Sequence, residues 1–158
     1  MLKNKVACSM SEIPQQQREK IAAQFIKALP FCAALDIKLD SMNVSSAAMS
    51  MPYDKRIIGD PETGVVHGGA VSALLDTCCG LAVSLHPESG KPTATIDLRI
   101  DYMRPAKVGE RIVAEAEVYR ATRTVAFVRA FAHDGDRENP VASATGAFTF
   151  SPFAKDAA

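Results

Sequence analysis

The chain has 158 residues, 47% of them hydrophobic and 23% charged, which is enough to bury the core of one globular domain. Eighteen basic and eighteen acidic residues cancel. With no basic run or stripe, a nucleic-acid partner held through its phosphates is a poor fit, and small molecules or other protein are the expected partners.

Cys8, Cys32, Cys78 and Cys79 lack the paired spacing of a metal site and suit a reducing cytoplasm. The N-terminal MLKNKVACSMSEIPQQQ has no apolar h-region and does not read as a secretory signal. The expectation is a cytoplasmic chain forming one domain over 1–158, with frayed tails at 1–10 and 152–158.

Residues 11–29 predict an amphipathic helix, capped by Ser11 and ended by Pro30, with Ile21, Ala22, Phe25, Ile26 and Leu29 on one stripe. Two extended segments follow, near 35–43 and 46–53, and then the loop KRIIGDPETG, dense in turn formers. Residues 65–86, VVHGGAVSALLDTCCGLAVSLH, approach the length of a membrane span. Asp76, three glycines, Ser72, Thr77 and Ser84 within them favour a helix buried in protein, so no membrane partner is expected.

The period then changes from 3.6 to 2. In residues 93–103, Ala94, Ile96, Leu98, Ile100 and Tyr102 alternate with polar residues as on one face of a strand. Strands at about 110–120, 124–133 and 140–150 follow, and the short connections RPAKVG, ATR and DGDREN predict antiparallel neighbours. A helix apolar on nearly all sides needs cover on nearly all sides. One curling antiparallel sheet supplies most of it, and a second subunit the rest.

The candidate chemistry lies in the apolar helix. Gly68 and Gly69 suit a helix start that something approaches closely. The free amides of that turn, at the positive end of the helix dipole, suit an anion or a carbonyl oxygen gaining negative charge.

Asp76 either escapes to solvent, caps a loop, or works as a buried carboxylate. From Gly68 to Asp76 is roughly 12 Å along a helix and about 80° around it. One helix cannot bring both to one carbonyl, but two copies related by a two-fold axis can. His67 fits orientation of the turn better than base catalysis. The three histidines form no metal pair, and no nucleophile elbow, phosphate loop or dinucleotide fingerprint is present.

HGGAVSALLD followed by TATIDLRIDYMRPAKVGERIVAEAEV resembles the hotdog-fold acyl-CoA thioesterases of the phenylacetic-acid-degradation type, over about Gly64 to Phe150. The resemblance implies an α+β hotdog fold, a curved antiparallel sheet wrapped around a long central helix, here with an extra N-terminal helix. It implies hydrolysis of an aryl- or medium-chain acyl-CoA to free acid and CoA, with no metal and no cofactor beyond the CoA of the substrate.

By the same resemblance Asp76 is nucleophile or general base, the Gly68 amide of the partner subunit is the oxyanion donor, and His67 and Gly69 complete the turn. Thr95 stands where a water-positioning hydroxyl is expected. Strict alternation aims it away from Leu98, so a bulge or a subunit edge must re-aim it, or it is a surface residue.

By the resemblance, many members of that family carry an Asn six residues before the His; Pro61 stands there, with Asp60 the nearest polar substitute. Arg104, Arg120 and Arg123 are candidates for the CoA phosphates, and Ile57 and Ile58 for the acyl pocket. Homodimers assembling into tetramers are the expected assembly. The alternative is a non-catalytic acyl-CoA binder or sensor on the same fold, which Pro61 keeps open and Asp76 argues against.

Overall fold

The computed structural model describes residues 14–89 and 92–151. The tails expected at 1–10 and 152–158, Cys8 and the Ser11 cap lie outside the described residues. Helix α1 spans Gln15–Ala28 and begins after Pro14 rather than at Ser11. Pro30 does end it, but also starts a second helix, α2 (Pro30–Ala34), whose first position tolerates a residue with fixed φ and no N–H.

Strands β1 (Lys38–Asn43) and β2 (Ser46–Met51) follow, then a 3-10 turn at Lys55–Ile57, and the long helix α3 (Gly68–Ser84). Strands β3 (Thr95–Tyr102), β4 (Ile112–Ala121), β5 (Val125–His133) and β6 (Ala142–Thr149) complete the order.

All six strands form one antiparallel sheet in the order β1-β2-β4-β5-β6-β3. The short-connection argument holds for β4-β5-β6 and fails for β3, which pairs with β6 and not with β4. The slot beside β4 is taken by β2. Residues 103–111 instead carry the chain across the end of the sheet, where the Arg104 guanidinium grips Asp134 and the Asn139 carbonyl.

The face of the sheet under α3 is built from small residues: Ala114, Ala116, Ala126, Ala130, Ala132, Ala142 and Ala144 are all buried. Small side chains let the helix settle close, and the Cys78 thiol donates to the Ala47 and Ala114 carbonyls at 3.3 and 3.4 Å. Leu74, Leu75, Leu81 and Val83 of α3 and Met49 and Met51 of β2 fill the remaining volume. On its other side, α3 meets α1. A Cβ at Gly80 would lie 3.3 Å from Phe25 Cζ, so part of the cover expected from a second subunit comes from this chain's own N-terminal helix.

Candidate active site

His67 is the N-cap of α3, and its Nδ1 accepts the Gly69 amide at 2.8 Å. Its main-chain N–H donates to the Ile57 carbonyl at 2.8 Å, and an Ile58–Val66 bridge backs the turn. The approach is too close for side chains: a Cβ at Gly59 would sit 2.9 Å from His67 Cα, and one at Gly69 2.8 Å from His67 Nδ1. Gly69 and Ala70 donate to His67, whereas the Gly68 amide has no acceptor among the described residues. Gly68 therefore carries the open donor at the positive end of the helix.

Two turns further on, Asp76 is half-buried, and the Thr95 hydroxyl donates to its Oδ1 at 2.7 Å. A bulge makes this possible. Thr95 pairs with Phe148 and Asp97 with Ala147, leaving Ile96 as the extra residue. Thr95 thus shares the inner face with Leu98, while Ile96, expected on that face, is 57% exposed. Burial, with the Asp76 carboxylate nearby, pushes the neighbouring Cys79 thiol up to about 12.

Sequence reasoning missed two hydroxyls at the helix start. Tyr102, at the other end of β3, donates to the Gly68 carbonyl at 2.7 Å. Ser72 reaches the same carbonyl at 3.2 Å and the Tyr102 hydroxyl at 2.5 Å. Alternation had assigned Tyr102 to the apolar face, and Ser72 had counted only as a polar residue in the helix. The i to i+4 spacing from Gly68 to Ser72 was the available signal. Gly146 of β6 was missed as well: a Cβ there would meet the Asp97 carbonyl oxygen at 2.6 Å, and a glycine inside a strand marks such a close approach.

The other candidates are distributed differently. Asp60 closes its own turn, accepting from the Glu62 amide at 3.0 Å and the Thr63 hydroxyl at 2.6 Å. Those donors hold its carboxyl below the ordinary range, and Pro61 is exposed in the same turn. Arg104 spends its N–H groups on Asp134, Asn139 and Pro105, which leaves none for a phosphate. Arg120 and Arg123 are exposed at the β4–β5 end of the sheet.

A cavity of about 280 Å³ opens beside Gly68, walled by Val66, Val71, Tyr102, Met103, Ala106 and Val141. Ile57 and Ile58 are not part of its wall, because the 3-10 turn carries Ile57 toward Ala34 and Pro52. A larger cavity of about 780 Å³ lies on the sheet face turned away from α3, against Ser46, Glu117, Arg129 and Thr145, remote from both Asp76 and Gly68. Among the described residues, no cluster of His, Cys, Asp or Glu is arranged to hold a metal ion, and no helix is long and apolar enough to cross a membrane.

The profile of the Thioesterase superfamily matches residues 63–141, from the turn before His67 through the whole Gly68, Asp76 and Thr95 arrangement. This chain belongs to the thioesterase superfamily. Human acyl-coenzyme A thioesterase 13 is 32% identical to it over 121 residues, covering 75% of this chain and 82% of that one. The medium/long-chain acyl-CoA thioesterase YigI of Escherichia coli is 27% identical over 147 residues, covering 85% and 94%.

A crystal structure from Pseudomonas aeruginosa at 39% identity superposes with a TM-score of 0.75 over 84% of this thioesterase-superfamily chain and 98% of that one. The PaaI protein of the E. coli phenylacetic acid degradation operon, at 21% identity, shares the fold with a TM-score of 0.75 over 90% and 96%. The hotdog architecture, with an N-terminal helix added, is thus that of the superfamily.

Proposed function

We propose that this chain, as one domain, hydrolyses acyl-CoA thioesters at sites shared between two subunits. The observation that carries the reading is the Asp76 carboxylate. It sits half-buried in an apolar helix, its Oδ1 takes the Thr95 hydroxyl, and its Oδ2 has no partner among the described residues. A carboxylate oriented through one oxygen and open at the other suits proton abstraction from water or direct attack on a carbonyl. The names of the human and E. coli relatives support acyl-CoA as the substrate.

The exposed edge strand β3 supports the dimer. Ile96 is 57% and Tyr102 51% exposed, with Met103, just after the strand, 56% exposed, and an open apolar edge is one that proteins cover. Thr95 at the start of β3 touches Asp76, and Tyr102 at its end touches Gly68. Two β3 strands running antiparallel about a two-fold axis bring residue 95 of one copy toward residue 102 of the other. The Asp76 end of one helix then faces the Gly68 end of its partner. Pairing of such dimers into tetramers is the assembly we propose.

In such a site the Gly68 amide of one subunit receives the thioester oxygen, and the apolar cavity beside it takes an aryl or medium-length acyl group. Asp76 of the partner subunit attacks the carbonyl, or takes a proton from a water that does. The carbonyl oxygen gains charge against the Gly68 amide. Collapse then expels the CoA sulfur, which leaves as thiol after taking up a proton, and water supplies the hydroxyl of the free acid. Neither route uses a metal or a cofactor. Arg120 and Arg123, near the Thr95 end of the sheet, are our candidates for the CoA phosphates.

The test is thiol release by the purified protein from aryl, short, medium and long acyl-CoAs, alongside Asp76→Ala. We expect turnover on at least one class and a loss of about 1,000-fold in Asp76→Ala. No turnover on any substrate, with tight acyl-CoA binding by calorimetry, would make the protein a binder instead.

A further inference from the structure

We infer that Tyr102 and Ser72 are positioning residues for Gly68, holding its carbonyl, in the peptide that follows the open amide, so that the backbone of Gly68 keeps that amide in the orientation that receives the substrate oxygen. The inference rests on the thioesterase reading above and adds two residues to it.

A glycine at a helix start has more backbone freedom than any other residue. A donor that stabilises developing charge contributes most when it needs no reorganisation at the moment of reaction. The Gly68 amide therefore needs a restraint that does not occupy the amide itself. The structure supplies two.

The first is polar. Tyr102 donates its single hydroxyl proton to the Gly68 carbonyl at 2.7 Å. The Ser72 hydroxyl lies 3.2 Å from the same oxygen and 2.5 Å from the Tyr102 oxygen, so its proton supports the same pair. The second is steric. The Tyr102 ring lies against Gly68, where a Cβ would stand 3.3 Å from both Cε1 and Cζ. The ring also forms one wall of the cavity beside Gly68.

Tyr102 is itself anchored. The residues immediately after it, Met103 and Arg104, donate main-chain bonds to the Val141 carbonyl at 2.9 and 3.4 Å. The Arg104 guanidinium then makes two bonds of 2.7 Å to the Asp134 carboxylate. That carboxylate is fully buried and also accepts the Lys107 amide at 2.8 Å. A clamped corner thus fixes the last residue of an edge strand, and that residue fixes the glycine. On this view Arg104 contributes to activity at a distance, through the corner it holds rather than through a phosphate.

The experiment measures kcat and KM, melting temperature and oligomer mass for Tyr102→Phe, Ser72→Ala and the double variant. The wild type is first assigned its best acyl-CoA. A wild type with no turnover removes the thioesterase reading and this inference with it. An active wild type tests the inference alone.

Tyr102→Phe keeps the ring on Gly68 and removes only the donor. We expect kcat to fall about 10-fold, a fraction of what loss of an oxyanion donor itself costs, with KM, mass and melting temperature unchanged. Ser72→Ala should lower kcat about 3-fold, and the double variant should lose little more than Tyr102→Phe, because the two hydroxyls act on one carbonyl. Should Tyr102→Phe lower the melting temperature, Ser72→Ala decides alone. Wild-type kcat in both single variants, or losses that appear in KM and melting temperature instead of kcat, would overturn the inference.

Discussion

Thr95 donates a 2.7 Å hydrogen bond to Asp76 across a bulge that leaves Ile96 unpaired and turns the hydroxyl onto the helix face. Without the extra residue, Thr95 would point to the opposite side of the sheet from Leu98. The irregularity in β3 is therefore what connects the strand to the carboxylate.

Removing the hydroxyl should free the Asp76 carboxylate to rotate and take away the donor that steadies its charge. Thr95→Ala is expected to lower kcat about 10-fold, while Thr95→Ser, which retains the donor, stays within about 3-fold of wild type. Steady-state kinetics on one substrate checks both. Equal losses in the two variants would assign the effect to the methyl group and its packing.

The bulge also depends on Gly146 of β6, which pairs with Leu98 just beyond it. An added Cβ would come within 2.6 Å of the Asp97 carbonyl oxygen and 2.8 Å of Leu98 Cδ1. The first of these is backbone and cannot swing aside. Gly146→Ala should cost about 2 kcal/mol of stability and also lower activity, because the strand segment that must shift carries Thr95. Denaturant melts and kinetics on the same preparation check the pair of effects. A stable but inactive variant would separate the aim of Thr95 from the stability of the sheet.

Much of this was legible in the sequence, for reasons that particular residues make plain. Period-2 alternation located β3, and the short turns between extended segments located β4, β5 and β6. The run from Val65 to His86 announced α3 through its length and its glycine start. His67 as an orienter of the turn followed from its place before the helix.

Strand order was not legible for β3, because residues 103–111 are short enough to read as a turn yet long enough to cross the sheet end. The bulge escaped because alternation assumes one residue per partner. Arg104 read as a free cation because its buried acid, Asp134, lies 30 positions away behind a turn full of acids. The Tyr102 contact with Gly68 is likewise long-range, and no local pattern announces it, whereas the Ser72 contact had only its i to i+4 spacing to signal it.

The Arg104–Asp134 pair gives a pH-dependent stability. The Arg104 guanidinium, helped by the Lys107 amide, holds the Asp134 carboxyl well below the usual aspartate range against the opposing effect of burial. Because the folded-state value is depressed, the stabilisation is full above the unfolded value of about 4 and is lost as pH falls below it. With the Asp134 side chain 0% and Arg104 19% exposed, Asp134→Asn should cost about 3 kcal/mol at neutral pH. The gap between variant and wild type should narrow as pH drops under about 4. Urea melts across pH 3 to 7 check this. A gap constant over that range would mean that packing, and not the charge, holds the corner.

The central claim is that each site combines Gly68 of one subunit with Asp76 of another. Gly68→Pro deletes the amide at a first helical position, after a His67 whose ψ of 132° already suits a following proline. Its added Cβ, 3.3 Å from the Tyr102 ring, asks that ring to yield by a few tenths of an ångström. Asp76→Ala deletes the carboxylate. Each variant alone should be inactive. The decisive measurement is the activity of the two subunits unfolded, mixed in equal amounts and refolded together. A mixed dimer then carries one site with both defects and one with neither. About half of random dimers are mixed, so about a quarter of wild-type activity should return. A mixture as inactive as its parents, although mass spectrometry shows mixed dimers, would contradict a shared site and return both groups to a single chain.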